Sequence, residues 1–478
     1  MKKVLVMVMM VLGSIAVYGQ KQGNIWWLGG HTGVDFNNGV PQGITFGSTS
    51  ASSEGITSIS DSSGNLLFYS NGQQIMNKNY QIMPNGDSLL GNISSTQSSV
   101  IIPKPESNRY FYIFTVDDYW IDNLRYGFRF SVVDNCLDSG LGDVIPTQKN
   151  ILLLDTVGEK VAAVRHANGI DYWIITHKLY SDAFYCYLLT SNGITDIVIT
   201  HIGSNHNVVQ GQMKISPNGN RLAVAASQSF SPSCHFELFD FDKSSGILSN
   251  VIFLIFPTNK DIYGVEFSPD NSKLYASYGG VVSPFGMGIV EYDLDSINQT
   301  AINNSMTTIF HETIIATLRG LQLGPNGKIY QVGNIDPTYL LAINSPNNYG
   351  ALCNVQDSAV YLAGNQGGYG LPTFIANFDY SNTINNCQTT TIYESIPTPP
   401  QISLYPNPTS TAVTIHHITS STPPPFQLLI EDVLGNKIFQ QCLTAPDTDI
   451  DVSKWSAGVY FYEVRSEKGS TRGKFVKQ

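Results

Sequence analysis

The sequence SPNGNRLA at residues 216–223 recurs twice further along the chain, as SPDNSKLY at residues 268–275 and as GPNGKIY at residues 324–330. Counted from proline to proline, the steps are 52 and 56 residues. Looser copies precede them at residues 166–173, 107–112 and 62–68. Six copies at a period of about fifty residues are typical of a repeat architecture.

Each copy predicts a β-hairpin. Proline presets φ for a turn, and Asn-Gly or Asp-Asn tolerates a positive φ at the next positions. Apolar stretches flank the turn, such as QMKI at 212–215 and LAVA at 222–225. A second apolar element follows about twenty residues later, as ELFDFD at 237–242 and EYDLD at 291–295. Two hairpins per repeat indicate about four strands, the pattern of one β-propeller blade.

The ends of the repeat array suggest how the ring closes. Residues 24–28 and 33–36 read as strands of a blade that lacks its first strand, and residues 370–375 read as a lone first strand. We expect these segments to pair in one blade, because pairing removes exposed strand edges. Seven blades are therefore favoured, and six blades with extra terminal strands are the alternative.

The Ser-Pro-Asn-Gly and Ser-Pro-Asp cores resemble those of WD40-like, YVTN-type propellers of exported bacterial proteins. The resemblance covers about residues 24–380 and implies an all-β fold, with a β-propeller passenger domain at residues 20–380. It implies little about function, because propellers host unrelated activities.

The N-terminus has the pattern of a secretory signal peptide. Lys2 and Lys3 precede an apolar run at residues 4–17, and a small residue follows. The expected signal peptide is residues 1–19, with cleavage between Gly19 and Gln20. The run is shorter than the roughly 18 apolar residues of a membrane span. No other stretch is longer, so we expect no integral membrane span in the mature protein.

A Thr- and Pro-rich linker is expected at residues 381–401, followed by a small antiparallel β-sandwich at residues 402–478. Three motifs in this order resemble the type A sorting domain of the type IX secretion system of the Bacteroidota. The residues that carry this resemblance are Tyr405, Pro406, Asn407, Pro408, Asp432, Gly435, Gly458, Tyr460 and Lys477. The resemblance implies the type IX secretion machinery and a sortase as partners. It implies a secreted protein, or one on the outer-membrane surface of a Gram-negative bacterium.

Composition and charge exclude several functions. There are 26 Lys and Arg residues against 37 Asp and Glu, for a net charge of −11. Nucleic-acid binding needs clustered basic residues, and none occur, so no nucleic-acid partner is expected. The sequence contains no GxSxG, HExxH or phosphate-binding loop. The six cysteines form no CxxC pair. Some of them can pair in an exported protein, and Cys186 is expected to be a small buried apolar residue. We expect no cofactor and no metal.

The candidate binding residues are few and their patterns are weak. Three carboxylates interleave with aromatic residues ahead of two arginines. Such a combination can bind a cation or the apolar face of a sugar; the alternative is an ordinary solvent-exposed loop. Two histidines flank a predicted hairpin, where they can meet as ligands or be ordinary strand-end residues. The candidates are Asp117, Asp118, Tyr119, Trp120, Asp122, Arg125, Arg129, His166 and His177.

Two classes of function remain. The favoured one is a non-catalytic surface module that binds an unknown extracellular glycan, peptide or protein on the propeller. The alternative is a secreted hydrolase or lyase with its active site in the central channel. A dry funnel with two carboxylates, one of them with a raised pKa, would favour the enzyme.

Overall fold

The computed structural model of the chain has two compact units, Met1–Cys387 and Gln388–Gln478. The residues that the structure describes are 21–47, 50, 52, 54–118, 126–227, 234–279, 286–296, 298–313, 319–333, 336–380, 387, 401–418, 426–443, 445, 447–466 and 469–478. The expected signal peptide and nearly all of the expected linker lie outside the described residues.

In the described residues, the first unit is a β-propeller with seven antiparallel sheets that follow one another along the chain. The first two described sheets have three strands each: β1 (Ile25–Trp27), β2 (Thr32–Asp35) and β3 (Gln42–Thr45), then β4 (Thr57–Ser60), β5 (Leu66–Ser70) and β6 (Ile75–Asn77). The third has five: β7 (Ser99–Pro103), β8 (Tyr110–Val116), β9 (Phe128–Asp134), β10 (Asp143–Val144) and β11 (Ile151–Leu154).

The last four sheets each have four strands in chain order, as the repeats predict. They are β12 (Ala162–Arg165), β13 (Tyr172–His177), β14 (Ser181–Thr190) and β15 (Gly193–His206); β16 (Met213–Ile215), β17 (Arg221–Ala226), β18 (His235–Asp242) and β19 (Ile247–Phe253); β20 (Asp261–Phe267), β21 (Lys273–Gly279), β22 (Met287–Asp293) and β23 (Thr307–Glu312); and β24 (Gln322–Leu323), β25 (Ile329–Val332), β26 (Tyr339–Ile343) and β27 (Val355–Tyr361). Helix is confined, in the described residues, to α1 (Gln299–Asn304) and 3₁₀ turns at Asp138–Gly140, Pro146–Gln148, Gly350–Cys353 and Ala376–Phe378.

The repeated motif forms the turn between the first two strands of a sheet. Between β16 and β17, Ser216 Oγ accepts a hydrogen bond from Arg221 N at 3.0 Å, and Gly219 has a φ of +77°. Between β20 and β21, Ser268 Oγ accepts from Lys273 N at 2.8 Å. The serine therefore closes the turn, and glycine supplies a positive φ at little steric cost.

The core lies between the faces of neighbouring sheets and is rich in aromatic rings. Phe184 of β14 and Phe239 of β18 join the fourth and fifth sheets, with ring centroids 5.0 Å apart. Phe236 of β18 and Tyr292 of β22 join the fifth and sixth at 5.6 Å. Such edge-on aromatic pairs add about 0.5–1.5 kcal/mol beyond their buried area. Packing between sheets is therefore what holds one repeat to the next.

The two ends of the first unit meet, but not in the expected pairing. The sequence predicts that residues 371–375 pair with the strand at β1. Instead, Pro372 forms a parallel bridge with Ile56, just before β4, and Thr373 N donates to Ile56 O at 2.8 Å. The sheet of β1 keeps three strands in the described residues. The predicted strand pairing is wrong, and the number of blades stays a prediction.

The backbone explains why the expected ladder does not form. Pro372 has no N–H to donate, and the carbonyl of Ile25 already accepts a hydrogen bond from Ser58 Oγ at 2.7 Å. Side chains add to the backbone bridge between Pro372 and Ile56. The rings of Trp26 and Phe374 pack with centroids 5.9 Å apart. Closure thus depends on aromatic packing more than on a backbone ladder.

A disulfide and an ion pair fix the last residues of the first unit. Cys136 and Cys387 are bonded across a separation of 251 residues. Arg165 Nη1 and Asp379 Oδ1 lie 2.7 Å apart. Cys186 is a free, buried thiol, as expected. The end of the unit is therefore held against the third and fourth sheets.

The second unit is a small β-sandwich of two antiparallel sheets. One sheet has the order β28-β29-β32 and the other β31-β30-β33-β34. The strands are β28 (Gln401–Tyr405), β29 (Ala412–Ile418), β30 (Phe426–Glu431), β31 (Lys437–Leu443), β32 (Asp447–Asp451), β33 (Gly458–Ser466) and β34 (Gly469–Lys477). Val413 and Ile415 of one sheet and Leu428 and Val464 of the other share one buried core.

Candidate functional site

The first strands of the sheets surround a narrow central channel that the chain itself fills. Residues 373–378 line this channel together with Ala163 of β12, Met213 of β16 and Glu266 of β20. The cavity that remains measures about 30 Å³, room for one or two water molecules. Small-molecule sites usually measure about 300–1,000 Å³. This cavity is therefore too small for a substrate.

The charges inside the channel compensate one another. Lys214 Nζ lies 3.2 Å from Glu266 Oε2 and donates a hydrogen bond to Gln322 Oε1. Both charged side chains are almost fully buried. A buried ion pair with an added hydrogen bond is a stable arrangement when its geometry is good. These residues hold three first strands together and are not available to a ligand.

The end of the channel at which the first strands begin is framed by hydrogen bonds from sheet to sheet. Gly55 N donates to Ser95 O at 2.9 Å, and Gln97 N donates to Glu159 O at 3.0 Å. Glu159 N donates in turn to Val209 O at 3.0 Å. We call this end the channel mouth and define it by Glu54, Thr96, Glu159, Tyr263, Arg319 and Tyr369.

A carboxyl–phenol pair occupies the channel mouth. The hydroxyl of Tyr263 donates to Glu54 Oε2 at 2.6 Å. Burial raises the pKa of Glu54 to about 7, against the lowering effect of this hydrogen bond, and the nearby Asp118 carboxylate raises it further. Burial likewise raises the pKa of Tyr263. Glu54 is therefore partly protonated at neutral pH and can act as either a donor or an acceptor.

A second carboxylate is anchored beside this pair. Thr96 donates to Glu159 Oε2 from both its backbone N and its Oγ1, each at 3.3 Å, and Thr96 Oγ1 accepts from Gly211 N at 3.2 Å. The next residue, Lys160, donates to Val209 O at 2.8 Å. Burial lowers the pKa of Lys160 to about 8. These bonds fix the mouth where three sheets meet.

An aromatic ring and a guanidinium complete the mouth. Arg319 lies over the ring of Tyr369, 5.2 Å from its centroid, and donates to Gly368 O at 2.8 Å. The Tyr369 ring is 39% exposed. A Cβ on Gly370 would lie 2.2 Å from the carbonyl oxygen of Glu54, so only glycine allows this approach. The chain thus brings the exposed ring to the same end as Glu54.

The predicted acidic loop lies partly at this mouth. Asp117 accepts hydrogen bonds from Asp118 N at 2.8 Å and Tyr126 N at 2.5 Å. It therefore closes its own loop. Asp118 is fully buried, and its charge acts on Glu54. The other predicted residues of this loop, Tyr119, Trp120, Asp122 and Arg125, lie outside the described residues.

The remaining predicted residues are not brought together. Arg129 donates to Tyr126 O at 2.6 Å and to Asn150 O at 2.8 Å, so it ties backbone segments to each other. His166 follows β12 and pairs with Asp171, just before β13, whereas His177 ends β13, six residues and about 20 Å further along at 3.3 Å per residue. They cannot share a ligand. In the described part of the chain, no cluster of His, Cys, Asp and Glu could hold a metal ion.

Sequence reasoning missed all six residues of the mouth: Glu54, Thr96, Glu159, Tyr263, Arg319 and Tyr369. They share one feature, since each lies before or within a channel-lining segment and far from the conspicuous turn motifs. Aligning the repeats on their turns and reading back to the residues before each first strand would have flagged them. The turns themselves lie at the opposite end of those strands.

The sorting motifs have identifiable structural roles in the second unit. Asn407 Oδ1 accepts from Val476 N at 3.0 Å, which joins the first motif to the last strand. Asp432 Oδ1 accepts from Leu434 N and Asn436 N, each at 2.9 Å, and so closes the turn that contains Gly435. Motifs far apart in the sequence therefore stabilise a single fold.

The remaining motif residues lie around the same strands. Tyr460 is buried and its hydroxyl donates to Ser456 O at 2.9 Å. Its ring stacks on Phe475, with centroids 5.6 Å apart. Gly458 begins β33, Lys477 ends β34, and the two are paired across the ladder. Tyr405 ends β28, and Pro406 and Pro408 follow it.

Comparison with known families identifies the second unit. Residues 403–478 match the family described as secretion system C-terminal sorting domain. No curated protein matches the chain. None of the helices in the described residues is long and apolar enough to cross a membrane. The tail is a type IX sorting domain, and the protein is secreted or attached to the outer-membrane surface.

Solved structures similar to this chain include several enzymes, all remote. A quinoprotein alcohol dehydrogenase-like protein from Bacteroides thetaiotaomicron shows 13% identity, a TM-score of 0.37 and coverage of 75% of this chain and 79% of its own. The periplasmic gluconolactonase of Pseudomonas aeruginosa shows 9% identity, a TM-score of 0.34 and coverage of 74% and 88%. A putative 6-phosphogluconolactonase from Bacteroides uniformis shows 12% identity, a TM-score of 0.32 and coverage of 60% and 90%. Similarity this low says nothing about activity.

Proposed function

We propose that the first unit is a non-catalytic binding module for an extracellular glycan, and that the ligand docks on the channel mouth. The observation that carries the proposal is the exposed Tyr369, which is backed by Arg319 and whose neighbour Gly370 packs against the backbone of Glu54. An aromatic face can stack on the apolar face of a sugar. A carboxyl that can donate or accept suits hydroxyl groups.

The filled channel favours surface binding over catalysis inside it. With residues 373–378 in place, a ligand meets the rim of the mouth and not a deep pocket. A glycan that lies across this rim can reach the Tyr369 ring and the Glu54 carboxyl without entering the channel. Peptide and protein ligands, the other classes that the sequence leaves open, lack the repeated hydroxyl groups to which this pairing is suited.

A glycan array probed with the mature chain tests the proposal. Tyr369→Ala should abolish the stacking contact and lower affinity about two- to tenfold, the range expected for an aromatic contact of about 0.5–1.5 kcal/mol. The matched control is Tyr361→Ala, since Tyr361 is an exposed tyrosine on the outer strand β27. Equal loss in both variants, or no glycan bound by the unchanged chain, would contradict the proposal.

One observation favours the enzyme as a second candidate. Glu54 has a pKa raised to about 7 and lies near the Asp118 carboxylate. A protonated acid beside an ionised one is the pair that glycosidases use. Incubating bound glycans with the chain and following their mass separates the two functions. Turnover that Glu54→Gln abolishes while binding persists would replace the binding module with a hydrolase.

We propose further that the type IX machinery exports the passenger and that a sortase removes the tail. Deleting residues 401–478 should leave the passenger in the periplasm, because the sorting motifs and the fold they stabilise are then lost. Asn407→Ala in the intact chain is the milder variant. Normal secretion of the truncated chain would contradict this route.

A further inference from the structure

Two histidine rings stack inside the seam between the fourth and fifth sheets. His177 ends β13 and His206 ends β15, and their ring centroids lie 3.9 Å apart at an angle of 25°. Each residue is only 1% exposed. The ring of Phe184 packs edge-on against His177 at 4.5 Å. The pair is therefore sealed from solvent by apolar packing.

Each ring keeps one nitrogen without a hydrogen-bond partner in the part of the chain that the structure describes. These atoms are His177 Nε2 and His206 Nδ1. The other nitrogen of His206, Nε2, lies 2.7 Å from Glu237 Oε2. Protonating either free nitrogen would bury an N–H with no acceptor, which costs about 1–3 kcal/mol for a neutral group and more for a charged one.

Two of the charges that face the pair disfavour its protonation, and the Glu237 carboxylate favours protonation of His206. Lys160, before β12, and His235, on β18, raise the positive potential at the rings, and the ring of His235 lies 5.6 Å from that of His206. Glu237, also on β18, is the facing carboxylate. Burial is the main cause that lowers the pKa of both His177 and His206, and the charge of Lys160 lowers both pKa values further.

We infer that the stacked His177–His206 pair is an acid-sensitive lock on the seam between the fourth and fifth sheets. The lock is closed while both rings are neutral. When the seam opens, water reaches both rings and each can take up a proton. Because the open state then binds more protons than the closed one below pH 6.5, the lock weakens as pH falls. Each histidine contributes about tenfold per pH unit to this shift.

The lock lies next to the channel mouth. His177 O accepts a hydrogen bond from Gly158 N at 3.1 Å, and the following residue is Glu159. Glu159 in turn holds Thr96 across the third and fourth sheets. Glu159 N also donates to Val209 O at 3.0 Å, between the fourth sheet and the segment that leads into the fifth. Opening the seam therefore loosens this part of the mouth. Acid should loosen the mouth before it unfolds the rest of the unit.

The test compares the acid dependence of unfolding in three forms of the mature full-length chain. Denaturant unfolding of the first unit, followed by circular dichroism, gives its equilibrium constant between pH 6 and pH 5. From pH 6 to pH 5 the pair should lower the folding equilibrium constant about sixtyfold in the unchanged chain, and the remaining histidine about eightfold in His177→Phe. His201→Gln, a change at an exposed histidine that contacts Asp182, should keep the full dependence. Equal dependence in His177→Phe and the unchanged chain would overturn the lock.

A second measurement decides the question if His177→Phe does not fold. Nuclear magnetic resonance of ring-labelled histidines in the unchanged chain reports the charge of each ring directly. The rings of His177 and His206 should stay neutral in the folded protein at pH 6, below the ordinary histidine pKa of about 6.5. Protonation of either stacked ring near pH 6.5 with the fold intact would refute the lock.

Discussion

Replacement of Trp26 by alanine should destabilise the first unit where its two ends meet. Trp26 is fully buried. Its ring packs against Phe36 of its own sheet at 4.7 Å, against Tyr330 of the seventh sheet at 5.9 Å and against Phe374 at 5.9 Å. One side chain thus joins the first sheet, the last sheet and the segment that fills the channel.

The expected cost follows from these contacts. Removing a buried tryptophan side chain costs about 3–5 kcal/mol in lost transfer energy and cavity formation. The indole N–H also donates to Gly23 O at 2.9 Å, and its loss adds about 1 kcal/mol. Trp26→Ala should therefore cost about 4–6 kcal/mol. Trp26→Phe keeps most ring contacts and should cost about 1–2 kcal/mol.

Denaturant unfolding of the mature chain, followed by circular dichroism, measures both variants. The control is Trp455→Ala in the second unit, where Trp455 packs on Tyr460 at 5.1 Å. That change should shift the transition of the second unit and leave that of the first in place. A loss below about 2 kcal/mol for Trp26→Ala, or equal losses for the alanine and phenylalanine variants, would show that aromatic packing at Trp26 does not close the unit.

Three further outcomes are expected. Cys387→Ser should lower the stability of the first unit by about 2–5 kcal/mol, as loss of a native disulfide does, and reductant should reproduce the effect in the unchanged chain; no difference in denaturant midpoint would speak against it. Asn407→Ala should cost the second unit about 1–2 kcal/mol, because the N–H of Val476 loses its acceptor, and an unmoved thermal transition of that unit would disprove this. Glu54→Gln should raise the melting temperature at pH 8 relative to the unchanged chain, but not at pH 4. The pKa of Glu54 is raised in the folded state, so the unchanged chain loses stability as the pH rises from the unfolded pKa of the carboxyl toward about 7. Equal shifts in melting temperature at both pH values would be evidence against a buried acid.

The fold could be predicted from the sequence because the interactions that form its turns are local. The serine of SPNG closes its own hairpin and the glycine takes a φ of +77°. Both effects act within six residues; the serine bond recurs at Ser268, and Asn271 takes the positive φ there. The sorting domain could be predicted for a similar reason, since Asp432 closes a turn through hydrogen bonds to residues two and four positions further on. Composition and spacing carry such information directly.

The pairing of the chain ends could not be predicted from the sequence, although one residue argued against the pairing that we expected. Apolar character suggested that residues 371–375 complete the sheet of β1. Pro372 cannot donate to an interior ladder, and proline in a strand is a sign of an edge or a bridge. The competing donor, Ser58 Oγ to Ile25 O, comes from another sheet. Long-range competition of this kind leaves no periodic signal.

The channel mouth could not be predicted from the sequence because its residues are far apart along the chain. Glu54, Tyr263 and Tyr369 come from positions more than a hundred residues apart and meet only because the ring closes. No spacing rule links them. The predicted acidic loop drew attention because its carboxylates are adjacent in sequence, yet Asp117 is used to cap its own loop. In a propeller, residues crowded along the chain serve the turns, while a site at the channel is assembled from single residues, one per sheet.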